Sequence, residues 1–238
     1  LDLDQRVFLR SLLRFFQVYG VMPRGYSKTL IEAIGMFLVC VFFPNAEFAM
    51  SAKTKENASS ILSAKIDEIK KFYPILEGEI KKYTYDKSSL DLKFKNGSWI
   101  KILANAQSTK GQRAQRLNIE EAALLNNDLF LDVLEPVPEI SRRTVGKLTI
   151  KSPLELCGQI NFLTTAGFKG SDEYERILQV KKDMANLKGK FTVGTDWQLA
   201  CWYGRTRPKE QVLKRKETNT SLSFAQNYES IWAGAGDG

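Results

Sequence analysis

Apolar residues along the chain switch repeatedly between helical and strand spacing. Val7, Phe8, Leu12 and Leu13 recur at helical intervals within Asp4 to Leu13, and the run from Phe15 to Met22 reads as a short buried strand. After a Pro-Arg-Gly turn, an almost wholly apolar helix is predicted from Lys28 to Phe43, stopped by Pro44 and Asn45, with a second strand from Ala46 to Ala52. Strand, turn, helix and strand make one βαβ unit. Ile61, Leu62, Ile66 and Ile69 give Lys55 to Phe72 a helical period closed by Pro74. Alternation in Tyr83 to Tyr85, Leu90 to Phe94 and Trp99 to Leu103, around the turn Lys95-Asn96-Gly97-Ser98, signals an antiparallel hairpin. A polar loop covers Asn105 to Gln115, Arg116 to Ile119 is a short strand, and Ala122 to Leu134 is read as a helix. Further on, Asn161 to Thr165 is a strand, Ser171 to Asn186 a helix capped by Ser171, and Lys190 to Tyr203 a strand region. Ser223 to Trp232 is expected to be helical, with Ala233 to Gly238 opening a linker. Alternating strands and helices predict an α/β domain with a mostly parallel central sheet, its ligand at the carboxyl ends of the strands.

Two segments can carry chemistry. Met22-Pro23-Arg24-Gly25-Tyr26-Ser27-Lys28-Thr29 lies between a buried strand and an apolar helix, where a phosphate-binding loop belongs, although the strict glycine spacing is absent. Backbone N–H groups at the helix start would face phosphates, the Lys28 ammonium would reach the β and γ oxygens, and the Thr29 hydroxyl would ligate Mg²⁺. A Pro-Gly turn carrying a solvated lysine is the competing reading. The second segment, Arg116-Leu117-Asn118-Ile119-Glu120-Glu121, ends a strand in adjacent carboxylates about 90 residues after Lys28. In phosphate-loop ATPases the first such acid holds Mg²⁺ and the second polarises the attacking water. An acidic doublet complementing a helix macrodipole is the alternative.

Composition narrows these options. The 238 residues contain no histidine, which excludes Ser-His-Asp and Cys-His catalysis and every histidine-dependent metal site. Cys40, Cys157 and Cys201 have neither zinc spacing nor an even count for disulfides, in keeping with a reducing cytoplasm. The net charge of +8 favours a polyanionic partner. Candidate DNA-phosphate contacts are Lys70-Lys71, Lys81-Lys82 and the stretch Lys209 to Lys216, none of which would read sequence. The apolar run Leu30 to Phe43 is interrupted by Glu32 and is shorter than the ~20 residues a bilayer requires, so a buried helix is expected and no membrane anchor. Trp197, Trp202 and Tyr203 are expected in the core rather than as base-stacking platforms.

In order and spacing these motifs resemble the large terminase subunits of tailed bacteriophages, across nearly the whole chain. Leu3-Asp4-Gln5-Arg6 stands where that family carries an adenine-contacting glutamine. Arg24, Tyr26, Lys28 and Thr29 match its phosphate loop, while Ser27 replaces a glycine. Ile119-Glu120-Glu121-Ala122-Ala123 is similar to its acidic motif, with Glu120 in place of the usual Asp. Phe162-Leu163-Thr164-Thr165-Ala166-Gly167 resembles its coupling motif, and Phe224-Ala225-Gln226-Asn227-Tyr228 the segment before its nuclease linker.

The resemblance implies a P-loop NTPase of the RecA-like, three-layer kind, with residues 1–232 as the ATPase domain and residues 233–238 beginning a linker to a separate nuclease domain. It implies hydrolysis of ATP to ADP and phosphate, with Mg²⁺, to drive translocation of double-stranded DNA. Glu121, Lys28, Arg24 and Arg113 would be catalytic. Gln5, Arg24, Gly25, Tyr26, Ser27, Lys28, Thr29, Thr164 and Thr165 would bind nucleotide, and Thr29 and Glu120 the metal. Arg113, with Arg116 as runner-up, would be the arginine supplied to a neighbouring subunit. Expected partners are DNA, the portal protein, the small terminase subunit and further copies of the chain in a ring, in the host cytoplasm. A helicase or recombination motor shares the same ATP chemistry, and a DNA-binding module decayed from an ATPase is a further reading. Ser27 carries a Cβ where glycine would permit positive φ, so a differently shaped or weakly binding loop is expected. The longer Glu120 favours metal contact through water.

Overall fold

The computed structural model describes residues 1–140 and 156–234, so the linker expected from residue 233 lies largely outside the described residues. In chain order, α1 (Leu3–Arg14) leads into β1 (Gln17–Val21), α2 (Lys28–Phe42), β2 (Glu47–Ser51), α3 (Lys55–Phe72) and the short α4 (Pro74–Glu77). Then come β3 (Ile80–Asp86), β4 (Ser89–Phe94), β5 (Trp99–Ile102), β6 (Arg116–Glu120) and a single turn, α5 (Asn127–Leu129). The remainder is β7 (Gln159–Thr164), α6 (Asp172–Ala185), β8 (Lys190–Gly194), α7 (Trp197–Trp202), α8 (Lys209–Thr218) and α9 (Ser221–Tyr228). Among the described residues no helix is long and apolar enough to cross a membrane.

The strands form one sheet in the order β3-β4-β5-β2-β6-β7-β1-β8. From β5 to β8 all neighbours are parallel, and β3 and β4 extend the edge antiparallel. The predicted hairpin is therefore an annex to a parallel sheet. Helices α1, α2 and α3 cover one face, where Phe37 and Phe94 meet edge to face at 5.3 Å. On the other face α6 and the segment 122–137 enclose Tyr19, Phe130 and Phe162. Each such fully buried aromatic contributes roughly 1.5–3 kcal/mol. α2 is apolar nearly all round because it is packed nearly all round.

Three expectations change. Ala122 to Leu134 is not one helix but a 3₁₀ turn (Ala122–Leu124), α5 and a π turn (Phe130–Leu134). Asn126 is the reason: its side chain accepts the Leu129 N–H at 3.0 Å and restarts the chain there. Lys190 to Tyr203 is a strand only as far as Gly194. Asp196 then caps α7 by accepting the Gln198 and Leu199 N–H groups at 2.9 and 3.3 Å. Trp197 is buried against Val212 and Phe224 as expected, but Trp202 lies off that helical face and is 82% exposed. Tyr203 is half-buried, with the Arg205 guanidinium 5.1 Å from its ring centre.

A polar seam runs beneath α1 on the otherwise apolar sheet. Arg116 donates to Gln159 at 3.2 Å, while the Gln159 amide donates to the carbonyls of Leu12 and Phe15, both at 2.7 Å. Asn161 donates to Asn118 at 2.9 Å and accepts the Val18 N–H at 3.2 Å. These bonds fix how β6, β7 and β1 stack, since buried polar groups are costly unless matched. Gln159→Ala is therefore expected to lower stability by about 2–3 kcal/mol in urea unfolding; a loss within 0.5 kcal/mol, roughly what an uninvolved surface position gives, would contradict this role.

Candidate active site

The turn between β1 and α2 is shaped as an anion cradle. Gly25 and Ser27 both take positive φ, +83° and +70°. Ser27 thus keeps the backbone shape a glycine would provide, at a cost of roughly 1–2 kcal/mol for an L-residue. α2 begins without a side-chain cap, and the N–H groups of Lys28, Thr29 and Leu30 have no acceptor among the described residues. Open donors and the positive end of the helix dipole face the same point.

Sheet register brings the acids to this cradle. Gly20 pairs with Leu163, and Leu163 with Glu120, so β7 alone separates the strand feeding the loop from the strand carrying the acids. Two strand spacings put their backbones roughly 10 Å apart, within the span of a nucleotide. Glu120 is 1% exposed, and its Oε1 has no hydrogen-bond partner among the described residues. Glu121 follows with φ +53°, a left-handed conformation that turns the chain out of the sheet immediately beyond β6. Two of the five described non-glycine residues with positive φ, Ser27 and Glu121, thus belong to the two predicted motifs, consistent with strain concentrated where function demands a shape.

A third acid was not among the expected site residues. Glu32, in the second turn of α2, is fully buried, and among the described residues no backbone N–H, hydroxyl, amide or basic side chain donates to either carboxyl oxygen. Its carboxyl faces that of Glu120. Burial first, then the Glu120 charge and a hydrogen bond between the two carboxyls, push the Glu32 carboxyl well above the usual range, while the Lys28 charge pulls it down. These mutual influences join Lys28, Glu32 and Glu120 in one locality. Helical spacing held the signal: Glu32 follows Lys28 by four positions, on the same face.

The other predicted residues fall around this centre in different ways. Thr164, at the tip of β7, accepts the Ala123 N–H at 3.1 Å, and its hydroxyl donates to the Thr165 carbonyl at 2.7 Å. The Thr164 carbonyl in turn accepts the Met22 N–H at 3.0 Å, so this strand end touches both the β1–α2 loop and the acidic segment. Arg24 is exposed and tied to Asn227 of α9 through Nε at 2.9 Å and through its backbone N–H at 2.9 Å. Gln5 is buried, with its side-chain oxygen accepting the Asp2 N–H at 3.1 Å. Its neighbour Asp4 contacts Arg205 at 2.8 Å and the buried Tyr26 phenol, bringing the start of α1 against the loop. Burial, and then the Asp4 carboxylate, raise that phenol above its ordinary value.

Arg113 is exposed in the loop that precedes β6, at the end of the strand opposite Glu120, so the fold does not bring it to this chain's own site. Arg116, the runner-up, is only 3% exposed and bonded within the seam beneath α1; it is not available to a neighbouring molecule. Beside Gly25 a cavity of about 530 Å³ is lined by Arg24, Arg205, Arg207, Arg215 and Tyr228, a basic wall that sequence spacing does not reveal.

This topology is a three-layer α/β fold, a mostly parallel sheet with the β1–α2 loop at its carboxyl edge. Structural comparison narrows it to the fold of large-terminase ATPase domains. The large terminase of a thermophilic bacteriophage superposes with a TM-score of 0.71 at 10% identity over 98% of this chain and 53% of that one. The ATPase domain of the Thermus phage P74-26 large terminase gives 0.69 at 12% identity, covering 98% and 94%. The first of these terminases in complex with ADP gives 0.62 at 12% identity, covering 98% and 54%. The chain therefore spans about half the length of the thermophilic phage's enzyme. No family model and no curated protein matches the sequence.

The strained loop and the Asp4 contact can each be tested by substitution. Ser27→Gly should relieve the left-handed strain, raising stability by up to about 1 kcal/mol after the greater freedom of the unfolded chain is counted. Ser27→Ala should give no such gain; equal melting temperatures for Gly and Ala variants would contradict the strained-loop reading. Burial raises the Asp4 carboxyl, but hydrogen bonds from Arg205 and Tyr26 and the Arg205 charge outweigh it and hold it below the ordinary 3.8. Stability from that pairing is present above pH 3.8 and is lost as pH falls through the lowered folded value. Arg205→Leu should accordingly destabilise at neutral pH, with the gap from the parent protein narrowing in acid. A gap independent of pH would assign Arg205 a packing role alone.

Proposed function

We propose that the chain is the ATP-hydrolysing motor domain of a viral DNA-packaging enzyme, a terminase large subunit. The observation that carries this reading is the convergence of Lys28, at the start of α2, with the buried acid Glu120 at the end of β6, through the register of β1, β7 and β6. The fold it shares with large-terminase ATPase domains supports it.

The substrate is ATP, its β and γ phosphates seated on the open N–H groups of α2, with Lys28 neutralising the charge that builds between them. The unpartnered Glu120 oxygen and the Thr29 hydroxyl are a hard-oxygen donor set that suits Mg²⁺. Mg²⁺ when bound supplies charge neutralisation for the departing phosphate. Glu121 accepts a proton from the attacking water, and its left-handed backbone turns it away from the line of β6. Thr164 and Thr165 link loss of the γ-phosphate to movement, through the bonds that join β7 to both the loop and Ala123. Gln5 contacts adenine from the turn of α1 that abuts Tyr26. Arg24 stabilises the γ-phosphate in cis, and Arg113 of a neighbouring copy does so in trans, its distance from this chain's own site being what a ring would require.

The work done is translocation of double-stranded DNA by several copies at a portal, with the small terminase subunit and the portal protein as partners. DNA contacts are to phosphates, and α8 offers exposed Lys214 and Arg215 for them.

The test is steady-state ATP turnover with added DNA at high protein concentration. Lys28→Ala and Glu121→Ala should each reduce turnover by about 10²-fold or more. Arg113→Ala should lose about 10³-fold while retaining nucleotide binding, and equal mixing with Glu121→Ala protein should restore part of the activity. Undiminished turnover in Lys28→Ala would overturn the reading; full activity of Arg113→Ala, or failure of complementation, would remove the trans arginine alone.

A further inference from the structure

The buried residues of α2 are apolar except Glu32, which has no exposed surface. A buried carboxyl that carries its charge alone is among the costliest groups a fold can contain, and without a cation Glu32 keeps its proton more tightly than an exposed glutamate. Such an orphan calls for an explanation, an ion among the possible ones. Neither oxygen of Glu32, nor Oε1 of Glu120, the acid it faces, accepts from a backbone, hydroxyl, amide or basic group among the described residues. Three buried carboxyl oxygens thus meet in one place from two elements, α2 and β6, and apart from a proton the two carboxyls share, no donor from the described residues reaches them.

Placement along the helix gives the pair a direction. Glu32 lies three residues after Thr29 and four after Lys28, so all three share a face of α2, and helical side chains lean back toward the amino end. That end is the phosphate cradle. Lys28 supplies the positive charge that acts on Glu32, yet it makes no hydrogen bond to either oxygen. Hard carboxylate oxygens presented as a pair are a ligand set that Mg²⁺ or Mn²⁺ uses, the remaining positions going to water or phosphate.

We propose that Glu32 and Glu120 together form a two-carboxylate site for one divalent cation at the foot of the phosphate loop, Glu32 being a metal-side acid supplied by α2. This deepens the ATPase reading and rests on it for the cation's use, but the pair's capacity to hold a cation is testable without nucleotide. A merely structural Glu32 predicts something different: replacing it with an uncharged isostere would change folding stability and leave cation binding alone.

The experiment is a titration of the nucleotide-free chain with Mn²⁺, read as free Mn²⁺ by electron paramagnetic resonance. One Mn²⁺ per chain is expected. Glu32→Gln and Glu120→Gln should each weaken it at least tenfold, whereas Glu210→Gln, at an exposed acid of α8, should leave it unchanged. Circular dichroism on each variant establishes that it is folded, and Glu32→Asp, which keeps the charge on a shorter stem, should retain more affinity than Glu32→Gln. Absence of Mn²⁺ binding in the parent chain, or equal binding by folded Glu32→Gln, overturns the proposal. A separate arm measures binding of a fluorescent ADP analogue in EDTA. If the parent chain fails to bind it while the Mn²⁺ pattern holds, the ATPase reading fails and the cation site stands; the converse outcome removes the cation site alone.

Discussion

The pairing of β7 between β1 and β6 is the constraint on which the rest depends. A strand that arrives some 140 residues after β1 holds the loop strand on one side and the acid strand on the other, with Gly20, Leu163 and Glu120 in line. One residue of slip in the β6–β7 ladder would turn Glu120 to the opposite face of the sheet, away from α2. The buried amides of Gln159 and Asn161, bonded to α1 and to both neighbouring strands, oppose such a slip because a shifted register would leave them unmatched. Stability and site geometry thus share the same few hydrogen bonds.

Around this frame, cost is concentrated where chemistry would use it. Ser27 and Glu121 occupy left-handed backbone, Glu32 and Glu120 leave buried oxygens unmatched, and the first N–H groups of α2 are open. Each feature alone is a modest liability. Together they surround one point at the carboxyl edge of a parallel sheet, where ligands of such folds gather. α9 encloses the point further, since Asn227 holds Arg24 while Gln226 donates to the Gly167 carbonyl at 2.8 Å. α9 is therefore bonded to the β1–α2 loop and to the residues following β7.

Much of this is legible in the sequence, for reasons that differ by element. The β1–loop–α2 unit stands out because a buried strand and an apolar helix bracket a short Gly- and Pro-containing turn, a local pattern needing no tertiary information. The hairpin of β4 and β5 is similarly local, set by alternation and an Asn-Gly turn. The insertion of β7 is not legible, because parallel neighbours pair across long crossovers that leave no local trace. Charge suggests an available arginine at Arg116, but its alternation with Asn118 and Glu120 on β6 assigns it to a covered face. Trp202 escapes prediction because the cap at Asp196 converts an apparent strand into a helix with a different face. Glu32 reads along the chain as an interruption in an apolar run, although its interval from Lys28 places it on the face of the phosphate loop.

The turn before α2 and the end of β6 are proposed to act on one triphosphate and its cation. A crystal structure with a non-hydrolysable ATP analogue and Mg²⁺ should show the β and γ phosphates at the amino end of α2, Lys28 on their oxygens, and the metal between Thr29 and Glu120. A nucleotide bound elsewhere, or phosphates seated there with the metal remote from Glu120, would contradict it.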